Sequence, residues 1–270
     1  MTLTRRHVLR AGLASGAAAL AAPALANLPA TFDIDYLESR AAPGILHDSQ
    51  PFVAPSEVHE AYTHAVYVNV SFHGDARQKM WVLERRGAAW DVGLRDDGYW
   101  QSRAAQPAYS WPVSSGALHR GDPRAGPTPS GVFNIDERSW RYRSGWGSPG
   151  MYKAIYIDLH YSSGRASGVA IHGTTSGRYG ALGRPASHGC VRLTQMNMDA
   201  LHAVFHPGGA RREASPLWGE VPRYFRSGVA DSYDARRGYV RDGTLLRGDA
   251  GGLLTRMGYT ALLVFFRDDF

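Results

Sequence analysis

Short segments of alternating apolar and polar residues dominate the chain and predict a fold built mainly from β-strands. Residues 65–72 (AVYVNVSF), 79–86 (KMWVLERR) and 89–94 (AWDVGL) are rich in β-branched and aromatic residues, and turn residues separate them. We therefore expect a β-meander at the start of this region. Later segments of the same kind are 109–116, 128–135, 151–161 and 167–173.

One segment in this β-rich region has helical periodicity instead. In residues 194–206 (TQMNMDALHAVFH), the apolar Met198, Leu201 and Phe205 are spaced i, i+3 and i+7. Thr194 is a candidate N-cap, and two glycines follow the segment as a candidate stop signal. The pattern predicts one short amphipathic helix.

The periodicity weakens on both sides of this region, which suggests a division of the chain. Residues 27–61 are rich in proline and predict an irregular N-terminal arm, whereas residues 62–209 hold the strands and the helix. Residues 210–270 form a C-terminal segment with little periodicity. Within it, residues 260–266 (TALLVFF) have the composition of a buried strand and are a candidate for completing the sheet.

Residues 1–26 have the features of an export signal. Two arginines, Arg5 and Arg6, precede an apolar run, and Ala-Leu-Ala at 24–26 has the small-x-small pattern of a cleavage site. The stretch TRRHVL at 4–9 resembles a bacterial twin-arginine signal. The apolar run is short and weakly apolar for a membrane helix. We expect a protein of the periplasm or cell envelope, without a stable membrane span after cleavage.

The net charge of the chain argues against one class of partner. It is +6 over 270 residues, and three of the basic residues lie in the expected signal. So mild a balance predicts no nucleic-acid partner, although it would not oppose contact with an acidic surface such as a cell wall.

The chain has a single cysteine, Cys190, whose chemistry the sequence leaves open among three interpretations. A lone thiol cannot form an internal disulfide, and in an oxidising compartment it is easily damaged unless it has a use. A nucleophilic thiol needs a base within reach, and two histidines are candidates. His172 ends the predicted strand 167–173, and His188 lies two residues before the cysteine. The alternatives are a metal ligand and a buried small residue.

A metal site is the weaker chemical alternative. Zinc ligands usually come in short, regular spacings, and the remaining histidines are scattered along the chain. In HEAYTH at 59–64 the two histidines are five residues apart and would not share a helical face. The residues alone therefore predict no metal site.

The spacing around Cys190 resembles the signature of the L,D-transpeptidase catalytic domain, also called the YkuD domain. His172 is followed, after fourteen residues, by Ser187-His188-Gly189-Cys190-Val191-Arg192. Two further segments are similar to family motifs and stand in the same order, WPVSSG at 111–116 and TPSGVFNI at 128–135. The resemblance covers roughly residues 65–207. After the predicted helix, residues 206–225 depart from the Gly-Thr-x-Val strand of many relatives.

The resemblance implies a β-sandwich-like fold and a two-step acyl transfer on peptidoglycan. Cys190 would attack tetrapeptide stems at the bond before the terminal D-Ala, and an amine would resolve the thioacyl-enzyme. The acceptor would be another stem peptide or, in some relatives, a wall-attached protein. His172 would be the base, with its ring oriented by the carbonyl of Gly173.

The resemblance assigns roles to four other residues and implies that no metal or other cofactor takes part. His188 and the amide of Gly189, with that of the cysteine, would line the oxyanion and substrate side, while Ser187 and Arg192 would hold the site or the substrate. Two alternatives remain at this stage. One is an L,D-carboxypeptidase or endopeptidase that hydrolyses the same intermediate, and the other is an inactive wall-binding domain.

Overall fold

The computed structural model describes residues 30–48, 50–93, 110–123, 125–137, 151–161, 165–210, 212–224, 228–229 and 245–269. The expected signal at 1–26 lies outside these ranges and stays a prediction. Within them the chain forms two α-helices and many short strands, which confirms the mainly β fold class. None of the helices described is both long enough and apolar enough to span a bilayer.

The helices and strands follow one another in short steps, with several 3-10 turns between them. In chain order they are α1 (Ala30–Ser39), β1 (His64–Asn69), β2 (Lys79–Arg86), β3 (Ala89–Val92), β4 (Trp111–Pro112), β5 (Gly131–Asn134), β6 (Tyr152–Tyr156), β7 (His160–Tyr161), β8 (Ala170–Gly173), β9 (Val191–Leu193), α2 (Gln195–Phe205), β10 (Trp218–Pro222), β11 (Gly228–Val229), β12 (Thr255–Tyr259) and β13 (Ala261–Phe266).

The larger sheet has β13 in its interior. Its strand order is β3-β2-β1-β13-β5, with β4 pairing beside β2. β13 runs parallel to β1 and antiparallel to β5, so both of its edges are paired. All six of its side chains are buried, as expected for a continuous apolar strand covered on both faces. The sheet therefore takes strands from both sides of the expected boundary at residue 209.

A three-stranded sheet and helix α2 pack on one face of the larger sheet. Its order is β6-β8-β9, and its apolar side chains share a core with alternate residues of β1 and β13, such as Val66 and Leu263. In α2 the Thr194 hydroxyl accepts the N–H of Asn197 at 3.1 Å, so the predicted N-cap is present. Met198, Leu201 and Phe205 of the helix enter the same core, as their spacing predicts.

The N-terminal arm covers the opposite face of the larger sheet. The sequence predicts an irregular arm, but part of it is helical. Residues 30–39 form α1. Its Leu37 is fully buried in a second core, together with the residues of β1 and β13 that face away from the first core. Two polar contacts fix the helix: the Trp81 indole donates to Asp33 at 2.9 Å, and the Tyr36 hydroxyl donates to Asp268 at 2.7 Å. So short a helix depends on such tertiary contacts, which sequence periodicity does not reveal.

Candidate active site

His172 lies on β8, in the middle of the smaller sheet, and is 5% exposed. Its Nδ1 atom lies 2.8 Å from the carbonyl oxygen of Gly173. A carbonyl only accepts hydrogen bonds, so Nδ1 must carry the proton. The proton-free Nε2 is then available as a base, and the ring is held in one orientation.

Burial keeps the His172 ring neutral. The pKa of His172 is lowered to about 4 in all: burial is the largest cause, the bond to the Gly173 carbonyl opposes it, and the positive charge of Arg192 adds to it. At neutral pH the side chain is therefore an uncharged imidazole that can take up a proton from a neighbour. It is not poised to form a resting ion pair.

Strand pairing places Cys190 near this ring. β8 and β9 are parallel neighbours with His172 opposite Arg192, while Ile171 and Val191 point into the core. Side chains alternate along a strand, so Cys190, two residues before Arg192, lies on the face that carries His172. The thiol is partly exposed, and its Sγ lies 3.7 Å from the carbonyl oxygen of Gly168 at the start of the β8 segment. The strand register thus puts the two predicted partners on the same face of neighbouring segments.

Ser187 shapes the loop that carries Cys190. Its side chain is fully buried; the hydroxyl accepts the N–H of Gly189 at 3.1 Å and donates to the Cys190 carbonyl. One hydroxyl therefore bridges the two peptide units next to the thiol. This contact favours a role for Ser187 in holding the loop rather than in binding a ligand.

The same contact changes the prediction for Gly189. Its N–H was expected to face a developing oxyanion, but here it is donated to Ser187. The residue instead supplies conformation, with a φ of 136° that disfavours residues carrying a Cβ. The reason is the local turn, in which a short hydroxyl side chain bonds the backbone two residues ahead.

Arg192 is buried behind the loop rather than extended into solvent. It is 8% exposed, and its Nη1 atom donates to the carbonyl of Ala186 at 3.0 Å. Burial and the nearby Arg178 lower its pKa, while Cys190 raises it. Because the last effect is mutual, the guanidinium favours the anionic form of the thiol. Arg192 therefore braces the loop and supplies positive charge to it.

His188 belongs to a small surface cluster with His119 and Asp122. Its ring stacks on that of His119 with centroids 4.5 Å apart, and its Nε2 atom lies 3.2 Å from a carboxylate oxygen of Asp122. Burial and His119 lower the pKa of His188, and Asp122 opposes them. His119 also contacts the Ser187 carbonyl at 3.0 Å. The structure thus puts the two histidines next to the cysteine in different environments.

Thr128 is a contributor that sequence reasoning missed as an individual residue. Its buried hydroxyl accepts the N–H of Gly116 at 2.8 Å and donates to the carbonyl of Gly189 at 2.9 Å. It therefore ties the 111–116 segment to the loop that carries the thiol. The only available signal was its place in TPSGVFNI, since 61 residues separate it from Gly189.

We expect Thr128→Val to weaken both the loop and any chemistry at Cys190. Valine keeps the shape but leaves the N–H of Gly116 and the carbonyl of Gly189 without this partner, at a cost of about 2 kcal/mol in the free energy of unfolding. Urea denaturation and the rate of Cys190 alkylation measure the two effects. Thr128→Ser keeps the hydroxyl and is the control; if both variants behave alike, the hydroxyl does not have this role.

Gly116 has no room for a side chain, and Gly116→Ala should therefore disrupt the same region. A Cβ at this position would lie 2.2 Å from the Gly126 oxygen and 2.7 Å from the Cα of Gly189, both of them backbone atoms. We expect the thermal midpoint to fall by several degrees, as for an overpacked core costing about 1–3 kcal/mol. Gly177→Ala is the control, because a Cβ there meets nothing within 4 Å. Equal midpoints for the two variants would contradict this account.

Across the residues described, no group of three or more His, Cys, Asp or Glu side chains could hold a metal ion. The charged and basic groups near Cys190 are instead a neutral imidazole and a buried guanidinium. Such a set suits nucleophilic attack by a thiol on a carbonyl compound.

Comparison with known proteins identifies a family for the region that contains His172 and Cys190. Residues 92–212 match the family model of the YkuD L,D-transpeptidase catalytic domain. A search of curated proteins finds no match.

Solved structures similar to this chain include several L,D-transpeptidases at low identity. The enzyme from Mycobacterium smegmatis is 18% identical, with 52% of this chain and 54% of that chain covered and a TM-score of 0.27. The L,D-transpeptidase from Xylanimonas cellulosilytica is 20% identical, with 52% of this chain and 53% of that chain covered and a TM-score of 0.29. L,D-transpeptidase 3 from Mycobacterium tuberculosis is 16% identical, with 51% of this chain and 55% of that chain covered and a TM-score of 0.28. This chain thus covers little more than half of each. Residues 92–212 are thus similar to the YkuD family of L,D-transpeptidase catalytic domains.

Proposed function

We propose that the protein is an exported peptidoglycan L,D-transpeptidase that acts through a thioacyl-enzyme on Cys190. The observation that carries the proposal is the neutral His172 ring, oriented by the Gly173 carbonyl on the strand beside the cysteine. An unactivated amide is a poor electrophile, so a covalent intermediate with a positioned base is the chemistry it requires. The match over residues 92–212 supports the substrate class.

In the first step Nε2 of His172 accepts the thiol proton while Sγ of Cys190 attacks the carbonyl carbon of the third stem residue. The carbonyl oxygen becomes an oxyanion, which the charge of Arg192 and the N–H of Cys190 stabilise. The C–N bond to the terminal D-Ala then breaks. Its nitrogen takes the proton from the His172 ring, which leaves a thioester and a free amino acid.

In the second step an acceptor amine attacks the thioester. His172 accepts a proton from that amine and returns it to the departing sulfur, so the enzyme is regenerated and one amide replaces another. We propose a second stem peptide as the acceptor, with the amine of a wall-attached protein as the other source. Water in place of the amine would give hydrolysis.

Incubation of the purified protein with tetrapeptide muropeptides, read by mass spectrometry, tests the proposal. Cross-linked dimers with loss of D-Ala are the expected products, formed through a transient adduct on Cys190. Tripeptides alone would instead identify the hydrolase. A folded protein that yields neither product nor adduct would contradict the proposed function.

A further inference from the structure

Gln78 is an unusual buried residue outside the segment that matches the family model. It lies just before β2, its side chain is fully buried, and its φ is 52°. Among the residues described, only Lys153 is another non-glycine residue with a positive φ. A left-handed backbone at a bulky residue is strained and persists only where the surroundings enforce it.

The surroundings of Gln78 are a closed set of hydrogen bonds. Its Nε2 donates to the Ser71 carbonyl at 2.9 Å and to the Ser115 hydroxyl at 2.8 Å, while its Oε1 accepts the N–H of Ser115 at 2.7 Å. Its own carbonyl accepts the N–H of Val113 at 2.9 Å. The amide is thus fixed in one orientation and forms hydrogen bonds with both the side chain and the backbone N–H of Ser115.

Ser115 in turn is hydrogen-bonded to the loop that carries the thiol. Its carbonyl accepts the N–H groups of Ala186 and Ser187, each at 2.9 Å. The Ser187 hydroxyl in turn bridges the N–H of Gly189 and the carbonyl of Cys190. Two hydrogen-bonded residues therefore connect the side chain of Gln78 to the peptide unit of the cysteine.

We propose that Gln78 is a positioning residue that holds Cys190 in register with His172 through Ser115 and Ser187. The inference rests on the proposed function, since it takes Cys190 as the nucleophile. It gives the left-handed backbone a purpose, because the turn aims a rigid amide at Ser115. It also extends the working unit beyond residues 92–212 into the preceding strand region.

Gln78→Met tests the proposal because methionine keeps the length of the side chain and removes the amide. A loosened loop moves the thiol away from the imidazole that accepts its proton and from the positive charge of Arg192 that favours the thiolate. We expect turnover of tetrapeptide muropeptides per folded molecule to fall about ten-fold or more, since misplacement by about 1 Å can cost 10²-fold. The pH midpoint for alkylation by iodoacetamide should also rise relative to the wild type. The chain has one cysteine, so alkylation reports on Cys190 alone.

Gln50→Met is the matched control. Gln50 is also buried, and it exchanges two 2.8 Å hydrogen bonds with the backbone of Arg267, near the end of β13. Its loss should lower the thermal midpoint by a similar amount but leave the turnover and the alkylation midpoint unchanged. If Gln50→Met and Gln78→Met change both readouts equally, Gln78 has only a structural role.

Gln78→Gly covers the case in which the methionine variant does not fold. Glycine adopts this backbone conformation readily, so the change removes the amide together with the strain. We expect the same loss of turnover and the same rise in the alkylation midpoint. Wild-type values for both would overturn the proposal. If the wild type itself does not turn over muropeptides, the proposed function fails, while the alkylation midpoints still decide the role of Gln78.

Discussion

Replacing Cys190 with alanine should abolish both the formation of a covalent adduct and all turnover of tetrapeptide muropeptides. The chain has no other thiol that could replace this one as the nucleophile. Without an acyl-enzyme, the amide would have to be attacked directly by an amine, which is a far slower reaction. Intact-protein mass spectrometry after mixing with substrate measures the adduct, and product analysis measures the turnover.

Cys190→Ser separates nucleophilicity from shape. A hydroxyl has nearly the size of the thiol but is a much weaker nucleophile beside a neutral imidazole. We expect a loss of several orders of magnitude, with the thermal midpoint of both variants close to that of the wild type. Turnover by a folded Cys190→Ala variant at more than a trace level would show that the thiol is not the nucleophile.

His172→Gln should slow acylation about 10²–10⁴-fold, the usual contribution of a general base. Glutamine has a similar size and is also polar, so it can occupy the same buried position. What it lacks is a group that can accept the thiol proton. Single-turnover formation of the thioacyl adduct is the appropriate measurement, and a wild-type rate would exclude His172 as the base.

The depressed pKa of His172 also predicts how stability responds to pH. The folded protein holds the ring with a pKa of about 4, whereas an exposed histidine titrates near 6.5. Between these values the unfolded chain binds the proton and the folded protein does not, so stability falls as the pH drops from 6.5 to 4. The full effect is about 3 kcal/mol by linkage. Below about pH 4 the ring is protonated and activity should be lost.

A second histidine, His202, also has its pKa lowered to about 4, by burial and by His206. Because both proteins keep His202, comparing the wild type with His172→Gln isolates the contribution of His172. Urea unfolding at pH 7 and at pH 4.5 gives the two free energies. The loss of stability between these pH values should be smaller in the variant. Equal losses would mean that His172 is not held neutral in the folded protein.

Local patterns predicted the elements whose signal lies within their own sequence. The strand at 79–86 and the helix with Thr194 as its N-cap are present in the structure because alternation and capping are properties of neighbouring residues. The strand near 260–266 was recognised, but its partners β1 and β5 were not, since pairing depends on residues far away in the chain.

The parts that escaped prediction depend on long-range polar contacts. Helix α1 needs Trp81 and Asp268, and the loop of Cys190 needs Thr128 and, by our proposal, Gln78. A threonine or glutamine gives no pattern that marks such a role. The amide of Gly189 was assigned to an oxyanion because the spacing does not show that Ser187 takes it.

The interior position of β13 means that the larger sheet cannot be completed by the N-terminal part of the chain alone. Domains tend to fold as units during synthesis, but here β1 and β5 gain their shared neighbour only when residues 261–266 have been made, long after Cys190. A nascent chain that already contains the thiol, the histidine and the loop would still be without the middle of its larger sheet. A chain that ends before β13 would contain His172 and Cys190 with their full sequence motif. Because β1 and β5 would lack the strand between them, we expect such a chain not to fold into an active form.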